Sequence, residues 1–471
     1  MPHPYSPSTQ HLNLGEAFFD PVEAADFPKT ILRYRNQTAA KTVGLEELSD
    51  EKWLAHFGRF KPLPDNLQQP LALRYHGHQF RNYNPELGDG RGFLFAQMID
   101  DKDRLLDLGT KGSGQTPWSR AGDGRLTLKG GVREVLATEL LTALGVNTSK
   151  SFSLIETGER LYRNDEPSPA RSSVLVRLNH SHIRIGTFQR LLYLKDHENI
   201  EKLVNYAIEN YWPEAKQSDN PVLAFYKLVV NAVAKMGAQW FVAGFVHGVL
   251  NTDNITITGE SFDYGPWRFL PNLDADFTAA YFDHSGLYAF GRQPDALQWN
   301  LARLAECLIP LCDIDELKSA IEGYSPIFEA ELQKLTLRRL GLKDIGSEPH
   351  PLIPLYYKTL QASDALFEQA FFDLAGGAKE ERLTQSPNAD YYKTGEMGVL
   401  ITNIRKCETL PNIDAYLDNE LTKPGAKATT LLIDEVEDIW SEIAAKDDWS
   451  AFENKIAQIR EYGKLQNLLT A

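Results

Sequence analysis

Short apolar runs separated by glycine-rich turns characterise the chain between residues 71 and 178. Two runs of β-forming residues joined by a polar turn predict a hairpin. The next segment has apolar residues at helical spacing and a glycine after it, which predicts a helix. The predicted order is therefore strand, strand, helix, strand, strand, at residues 92–99, 104–109, 132–144, 151–155 and 173–178.

Helical patterns dominate after residue 184, and a polar loop over residues 247–280 interrupts them. We predict helices at residues 200–212, 222–244, 296–311 and 328–340, and an acidic helical extension over residues 433–469. A sheet-rich lobe followed by a helical lobe is an α+β layout. The predicted units are an irregular arm with one or two helices (1–70), a sheet-rich lobe (71–185), a helical lobe (186–345) and a C-terminal helical extension (346–471).

The 471-residue chain carries 49 Lys and Arg against 64 Asp and Glu, a formal net charge of −15. This charge argues against nucleic acid as the main partner, because binding to a phosphate backbone needs a basic surface. It leaves a nucleotide ligand open, since a small phosphate site needs only a few cations and N–H groups. The three cysteines lack metal-ligand spacing, and neither a signal pattern nor a membrane-spanning apolar stretch is evident. We therefore expect a cytoplasmic protein without a membrane partner.

Two glycine turns could bring backbone N–H groups close to phosphate oxygens. The first contains Gly88, Gly90 and Arg91, immediately before the predicted hairpin. The second contains Asp123 and Gly124. The first turn lacks the GxGxxG spacing of a dinucleotide site, and an ordinary tight turn remains the alternative for both.

Lys111 ends the second predicted strand, and the helix that follows carries Glu134. A strand lysine alone is usually a solvated surface residue. A strand lysine paired with a helix glutamate, however, is how kinases fix the cation that holds ATP phosphates. Glu139 competes with Glu134 for this pairing.

Arg177 and Arg184 flank His180 and His182 near the end of the last predicted strand. Arginines at a strand end suit multivalent contact with phosphate oxygens, although salt-bridged surface arginines are the alternative in an acidic protein. The His-x-His pairs at residues 76/78 and 180/182 could each supply two metal ligands. No third or fourth ligand stands at suitable spacing, so a zinc site is not favoured.

The strongest local pattern is His247-Gly-Val-Leu-Asn-Thr-Asp-Asn254, followed by Asp263. Asn254 and Asp263 are oxygen donors of the kind that Mg²⁺ or Mn²⁺ prefers together with substrate phosphates. Small-molecule kinases carry His-x-Asp-x-x-x-x-Asn, in which the aspartate is the base for the acceptor hydroxyl. Here Val249 stands at that position and cannot accept a proton, whereas Asp253 lies beside the candidate metal ligand. A loop with capping Asp and Asn side chains is the alternative.

Six runs closely resemble the selenoprotein O (YdiU) family, and they occur in the family's order between about residues 70 and 310. They are Tyr75-His-Gly-His-Gln-Phe80, Leu87-Gly-Asp-Gly-Arg91, Gly109-Thr-Lys-Gly-Ser-Gly114, His247-Gly-Val-Leu-Asn-Thr-Asp-Asn254, Asp263-Tyr-Gly-Pro266 and Gln298-Trp-Asn-Leu-Ala-Arg-Leu-Ala-Glu306. No comparable match is recognised beyond about residue 345.

The resemblance implies a protein adenylyltransferase with a two-lobed, protein-kinase-like fold that binds ATP in the reverse sense to a kinase. Such an enzyme transfers AMP to Ser, Thr or Tyr hydroxyls of proteins and releases pyrophosphate. The resemblance further implies that Asn254 and Asp263 bind Mg²⁺ or Mn²⁺ and that Asp253 is the proton acceptor. The residues implied to hold ATP are Gly88, Gly90, Arg91, Lys111, Asp123, Gly124, Glu134, Arg177, Arg184 and Asp263.

The chain departs from the family at one point, because many relatives carry a cysteine or selenocysteine close to the C-terminus that is linked to redox control. The last cysteine here is Cys407. Three alternatives to AMP transfer stay open: UMP transfer from UTP, γ-phosphoryl transfer with Asp253 as base, and a non-catalytic nucleotide-binding scaffold. We expect a monomer whose partners are ATP and hydroxyl-bearing proteins.

Overall fold

A computed structural model describes residues 3–164, 166–344, 346 and 348–470 of the chain. The strands in these ranges are β1 (Ser6–Ser8), β2 (Phe19–Pro21), β3 (Ile31–Arg35), β4 (Leu71–Leu73), β5 (Gly77–Gln79), β6 (Asn82–Asn84), β7 (Leu94–Ile99), β8 (Leu105–Lys111), β9 (Leu126–Thr127), β10 (Lys150–Leu161), β11 (Ala170–Asn179), β12 (Phe245–Val246) and β13 (Arg268–Phe269). The α-helices are α1 (Gln37–Thr42), α2 (Asp50–Phe57), α3 (Leu128–Ala143), α4 (Ile185–Tyr193), α5 (His197–Asn210), α6 (Pro221–Val242), α7 (Gln293–Leu308), α8 (Ile314–Glu322), α9 (Tyr324–Arg339), α10 (Leu352–Gln361), α11 (Phe367–Leu374), α12 (Glu380–Gln385), α13 (Gly395–Ile404), α14 (Ile413–Leu417), α15 (Ile433–Lys446) and α16 (Ser450–Asn467).

One antiparallel sheet runs in the order β2-β4-β7-β8-β11-β10-β3, with β1 added beside β7 and β9 beside β11. The predicted hairpin is confirmed as β7 and β8, in which Ile99 lies opposite Leu105. The two later strands are confirmed as β10 and β11, and both are longer than predicted. Their alternating side chains are buried on both faces of the sheet, so polar positions do not mark where each strand begins and ends.

Helix α3 packs on one face of the sheet, against β10 and β11. It begins four residues before the predicted start, because the Thr127 hydroxyl accepts the N–H of Gly130 and caps the first turn. Val132, Val135 and Leu136 are fully buried in the core that α3 shares with the sheet and the helical part of the chain. The helix therefore has a fixed position relative to the strands beside it.

The N-terminal 70 residues are not the irregular arm that the sequence suggests. The two helices of this segment are present, but β1, β2 and β3 belong to the main sheet, where Tyr34 of β3 lies opposite Leu154 of β10. Trp53 of α2 is fully buried, stacks on Phe152 with ring centroids 4.9 Å apart and donates to Ser153 Oγ. Strands of three to five residues are too short for an alternating pattern to identify, which is why the prediction is wrong here.

The helices predicted beyond residue 184 are confirmed as α5, α6, α7 and α9, and the acidic extension is confirmed as α15 and α16. Helix α16 packs back onto α3. Arg460 of α16 donates to Glu139 of α3 at 2.9 Å and also to the hydroxyl of Tyr34 at 3.2 Å. The C-terminal extension is thus joined to the N-terminal strands through α3. The division of the chain into four units stays a prediction.

Helix α6 is long and apolar enough to cross a membrane by length and composition alone, and it is the one such helix among the described residues. Half of its most apolar window is buried inside the protein. Phe225, Val229 and Trp240 pack in the core, and α6 lies against α7, α8 and α9. These contacts are those of a core helix.

Trp53→Ala tests whether residues 1–70 are part of the core. We expect the free energy of unfolding to fall by about 3–5 kcal/mol, because the substitution empties a fully buried site. Tyr162→Ala, at a side chain that is 78% exposed, is the matched control and should change it by less than about 0.5 kcal/mol. Urea denaturation measures both variants, and a loss for Trp53→Ala no larger than the control would show that this segment is separable.

Candidate active site

A cleft of about 640 Å³ lies against β8, β11 and the two glycine turns. All but one of the residues that the sequence assigns to ATP line this cleft. The lining members are Gly88, Gly90, Arg91, Lys111, Asp123, Gly124, Arg177, Arg184 and Asp263. The remaining one, Glu134, lies behind Lys111 on helix α3.

A network of buried charges forms the floor of the cleft. Lys111 Nζ lies 2.7 Å from Glu134 Oε2 and 2.9 Å from Asp263 Oδ1. Arg177 Nη1 lies 3.4 Å from Glu134 Oε1 and 3.2 Å from Asp263 Oδ1. Arg184 joins the network at 3.6 Å from Asp263 Oδ2. Each carboxylate is thus shared by at least two cations. Residues from β8, α3, β11 and the loop before β13 converge here.

Glu139, the competing partner for Lys111, is not part of this network. Its carboxylate instead accepts hydrogen bonds from Tyr34 and Arg460. The choice between the two glutamates follows from the position of α3. Glu134 lies level with the end of β8, whereas Glu139 is more than one turn further along and faces α16.

The cations determine the ionisation of Asp263. Burial opposes its charge, but Lys111, Arg177 and Arg184 hold the pKa of Asp263 well below its usual range. Asp263 has a left-handed backbone conformation, with φ of 63°, which aspartate tolerates better than most residues. At the rim of the cleft, Arg91 and Arg120 make no ion pair within the described part of the chain. The site therefore combines an ionised carboxylate with cations that are free to take phosphate oxygens.

The two glycine turns are held together by Trp118. A Cβ atom at Gly88 would lie 2.4 Å from the Trp118 ring, so only glycine allows this packing. Gly124 has φ of 68°, and its Cβ would lie 2.2 Å from the carbonyl oxygen of Gly114. The hydroxyl of Ser119 donates to the Gly90 carbonyl. Close packing therefore fixes the positions of both turns at the mouth of the cleft.

Asp253 and Asn254 do not line the cleft itself but lie in a short 3-10 turn behind Arg184. Arg184 Nη1 donates to the carbonyl oxygen of Asp253 at 2.8 Å, and Asp253 Oδ1 is buried without a hydrogen-bond partner among the described residues. Burial raises the pKa of Asp253 to about 6, against the opposing effect of Arg184. Asn254 donates its amide N–H to Val249 O at 3.0 Å, which leaves its Oδ1 available as an acceptor.

The loop that carries Asp253 is held from both sides by residues of the sequence motifs. Thr252 Oγ1 accepts the N–H of His78 in β5 at 2.7 Å and donates to Gln189 of α4. On the other side His247 Nε2 lies 3.0 Å from the carbonyl oxygen of Phe262, next to Asp263. These hydrogen bonds fix the two loop segments that carry Asp253, the candidate base, and Asp263, the candidate metal ligand.

The His-x-His pairs have structural partners. His76 Nδ1 bonds to the Tyr83 hydroxyl at 2.8 Å, and His78 Nδ1 bonds to Gln189 at 2.7 Å. His182 Nδ1 lies 3.3 Å from Asp107. No group of three or more His, Cys, Asp or Glu side chains within the described ranges could hold a metal ion. A metal bound by Asn254 and Asp263 would need phosphate or water oxygens to complete its shell.

Several residues of the cleft were not singled out from the sequence. Asp89 is buried, accepts the N–H of Leu73 and lies 3.3 Å from Arg184. The Tyr75 ring lies 4.4 Å from the Arg184 guanidinium. Both residues stand inside motifs that were noted for their glycines and histidines. Trp118, in contrast, has no spacing signal, because its contact with Gly88 depends on how the two turns fold.

Comparison with known protein families identifies the family to which the chain belongs. The family model described as "Protein adenylyltransferase SelO" matches residues 4–460. The chain belongs to the SelO family. Two relatives named "Protein nucleotidyltransferase YdiU", from Synechocystis sp. and Trichodesmium erythraeum, are 43% and 42% identical to it over 473 residues, or 97% of this chain and 98% of each relative. A third, from Synechococcus elongatus, is 50% identical over 345 residues, or 72% of this chain and 68% of the relative. The chain is thus a nucleotidyltransferase.

The match to the SelO family extends further than the motifs suggested. Recognisable motifs end near residue 310, and the sequence alone shows no convincing match beyond about residue 345. The family model nevertheless continues to residue 460, and two relatives align over nearly the whole chain. The C-terminal helices are therefore part of the family's fold.

A double-mutant cycle tests the buried ion pair between Lys111 and Glu134. Lys111→Met and Glu134→Gln should each lower the free energy of unfolding by about 3–5 kcal/mol, because each leaves buried charges without a partner. The double variant should be more stable than the sum of both losses predicts, with a coupling above about 1 kcal/mol.

The surface pair Lys129–Glu437, with N–O distance 2.7 Å and both side chains partly exposed, is the matched control for this cycle. Its coupling should be about 0.2–1 kcal/mol. Chemical denaturation provides all the values, and a Lys111–Glu134 coupling no larger than that of the control would contradict the network described above.

Proposed function

We propose that the chain transfers AMP from ATP to Ser, Thr or Tyr hydroxyls of other proteins, releases pyrophosphate and depends on a divalent metal ion. The observation that carries this proposal is the convergence of Lys111, Arg177 and Arg184 on Asp263 at the floor of one cleft. Membership of the SelO family supports AMP as the transferred group.

The cations would act on the triphosphate. Attack of an acceptor hydroxyl on the α-phosphorus forms one P–O bond and breaks the bond to pyrophosphate, whose negative charge must be stabilised. Lys111, Arg177 and Arg184 are held in place by buried carboxylates, so they need no reorganisation as that charge develops. The fold would be protein-kinase-like, with ATP reversed so that the γ-phosphate lies deep in the cleft and the α-phosphate faces the acceptor.

Asp253 would accept the proton of the attacking hydroxyl. Its Oδ1 is buried and has no hydrogen-bond partner among the described residues, as expected for an atom that waits for a substrate proton. Its backbone carbonyl is fixed by Arg184. Val249, at the position of the kinase base, offers only its carbonyl oxygen, which Asn254 already uses. This arrangement favours Asp253 over a base at position 249.

Asn254 and Asp263 fit a Mg²⁺ or Mn²⁺ ion. Both present oxygen donors, the free Oδ1 of Asn254 and the ionised carboxylate of Asp263. An ion held there together with phosphate oxygens would neutralise charge on the triphosphate. Asp263 would then have two roles, since it also positions Lys111 and Arg177.

The proposal extends to partners and location. The partners would be ATP and hydroxyl-bearing proteins rather than nucleic acid or membrane, and the enzyme would act in the cytoplasm as a monomer. The net charge of −15 supports a partner other than nucleic acid. UMP transfer and γ-phosphoryl transfer are the competing activities, and a non-catalytic scaffold is the competing class.

Incubation with ATP labelled at the α- or the γ-phosphate distinguishes these activities. We expect label from the α-phosphate, but not from the γ-phosphate, to enter protein in the presence of Mg²⁺ or Mn²⁺. Removal of the metal with EDTA should abolish the incorporation, and so should Asp263→Ala. α-Labelled UTP run in parallel reports the nucleotide preference. Incorporation from the γ-phosphate alone would identify a kinase, and no incorporation despite measurable ATP binding would identify a scaffold.

Arg177→Ala and Arg184→Ala test the transition-state role of the buried arginines. We expect each to lower the rate of AMP transfer by about 10³-fold or more, because an arginine at a phosphoryl transition state contributes on that scale. Arg59→Ala, at a partly exposed arginine paired with an exposed aspartate, is the control and should retain its rate. Circular dichroism establishes that the variants are folded. Near-normal turnover in both cleft variants would contradict the proposed mechanism.

A further inference from the structure

A second cavity, of about 540 Å³, lies beside the C-terminal half of α3. It is enclosed by α1, α3, the turn between β7 and β8, the ends of β10 and β11, and α16, and it shares no lining residue with the cleft. Its volume is within the range of about 300–1,000 Å³ that is typical of small-molecule sites. The mechanism proposed above makes no use of it.

An unpartnered amide lies in the wall of this cavity. Asn179, at the end of β11, is fully buried, and neither its Nδ2 nor its Oδ1 has a hydrogen-bond partner within the described residues. A buried amide without partners is costly, typically by about 1–3 kcal/mol, so such groups are normally satisfied by protein, water or ligand. Asn179 could offer one donor and one acceptor to a molecule in the cavity.

Positive charge surrounds the same space. Lys150 Nζ donates to Thr142 Oγ1 at 2.9 Å but makes no ion pair in the described part of the chain. Lys102 also has no acidic partner there. Arg104 uses Nε and Nη2 on Asp100, which leaves Nη1 free. Burial lowers the pKa of Lys150 to about 8. The charges of Glu260 and Glu139 oppose this shift, and those of Arg104 and Lys102 add to it. An anion among these three cations would relieve their repulsion.

The acidic residues of the cavity wall form no ion pair with Lys150, Lys102 or Arg104 in the described part of the chain. Glu139 is bonded to Tyr34 and Arg460. Glu260 accepts the N–H of His180 at 2.7 Å, and burial raises its pKa to about 7, so that it is partly protonated near neutral pH. Asp101 is exposed at the mouth. Lys150, Lys102 and the Asn179 amide are therefore the groups of the wall that no acidic residue engages within the described ranges.

We infer that this cavity is a second ligand site, which binds a small molecule bearing a phosphate or carboxylate group. Lys150, Lys102 and Arg104 contact the anionic group, and the Asn179 amide pairs with a donor and an acceptor beside it. Helix α3 forms one wall through Thr142, so a ligand here contacts the helix whose Glu134 holds Lys111.

Acetylation of Lys150 provides a site-resolved test. The full chain is treated with a limiting amount of sulfo-N-hydroxysuccinimide acetate. Parallel reactions contain either inorganic phosphate or sodium chloride at the same ionic strength, and mass spectrometry measures the acetylation of each lysine. We expect phosphate to slow the acetylation of Lys150 about tenfold at about ten times its Kd, because bound protein is unreactive. Lys406, an exposed lysine remote from the cavity, should react equally in both salts.

Two variants tie the protection to this cavity. Asn179→Leu removes the unpartnered amide at nearly constant volume, so it should keep or raise the Tm of the ligand-free protein and lose the protection of Lys150. Lys102→Glu, at an exposed side chain, should also lose the protection of Lys150. If Asn179→Leu fails to fold, Lys102→Glu alone tests whether the phosphate lies in this cavity. Arg177→Ala should keep the protection, which separates this site from the proposed active site.

Two results would overturn the inference. One is equal protection of Lys150 by chloride at the same ionic strength, and the other is protection that persists in both Asn179→Leu and Lys102→Glu. Loss of protection in Arg177→Ala would do the same, because it would place phosphate in the cleft alone. None of these readouts requires AMP transfer. The second ligand site can therefore be wrong while the proposed function is correct, and the proposed function can be wrong while the second site exists.

Discussion

Three buried cations and two carboxylates meet at the floor of the cleft, and their placement constrains every element around them. Lys111 comes from β8, Glu134 from α3 and Arg177 from β11, while Asp263 is supplied by the loop before β13. Buried charges are tolerated only where partners lie within ion-pair distance, so none of these elements can move independently. The β8–β11 register, which sets Gly109 opposite Arg177, places Lys111 and Arg177 on neighbouring strands.

The elements around this network hold its residues in place. Trp118 holds the two glycine turns over it, and the contact between Thr252 and His78 fixes the loop behind it. Helix α3 is packed against the sheet on one side and α16 on the other. At the proposed active site a nucleotide would therefore meet groups whose positions are already determined, which is what electrostatic stabilisation of a transition state requires.

The sequence predicted the local elements and the chemistry better than the long-range packing. Helices α5 and α7 have an apolar face, α6 is a long apolar segment, and the hairpin has a polar turn, so each of these could be located. Lys111, Arg177 and Asp263 stand in motifs with a chemical reason for each residue, and they do lie together. Trp118 and Asp89 were missed because their roles depend on contacts between distant turns. The strands of the first 70 residues were missed because pairing with β7, β4 and β10, rather than local pattern, makes them strands.

The contact of Arg460 with Glu139 and Tyr34 also has a consequence for the order in which the chain folds. It joins residues that are 426 positions apart in the sequence. During synthesis the sheet and α3 emerge long before α16, and long-range contacts of this kind form late. Until α16 arrives, one side of α3 remains uncovered and the helix that carries Glu134 lacks its final support. A nascent chain that still lacks α16 would therefore present Glu134 on a helix that is not yet fully packed, so the charge network at the floor of the cleft would be completed late in synthesis.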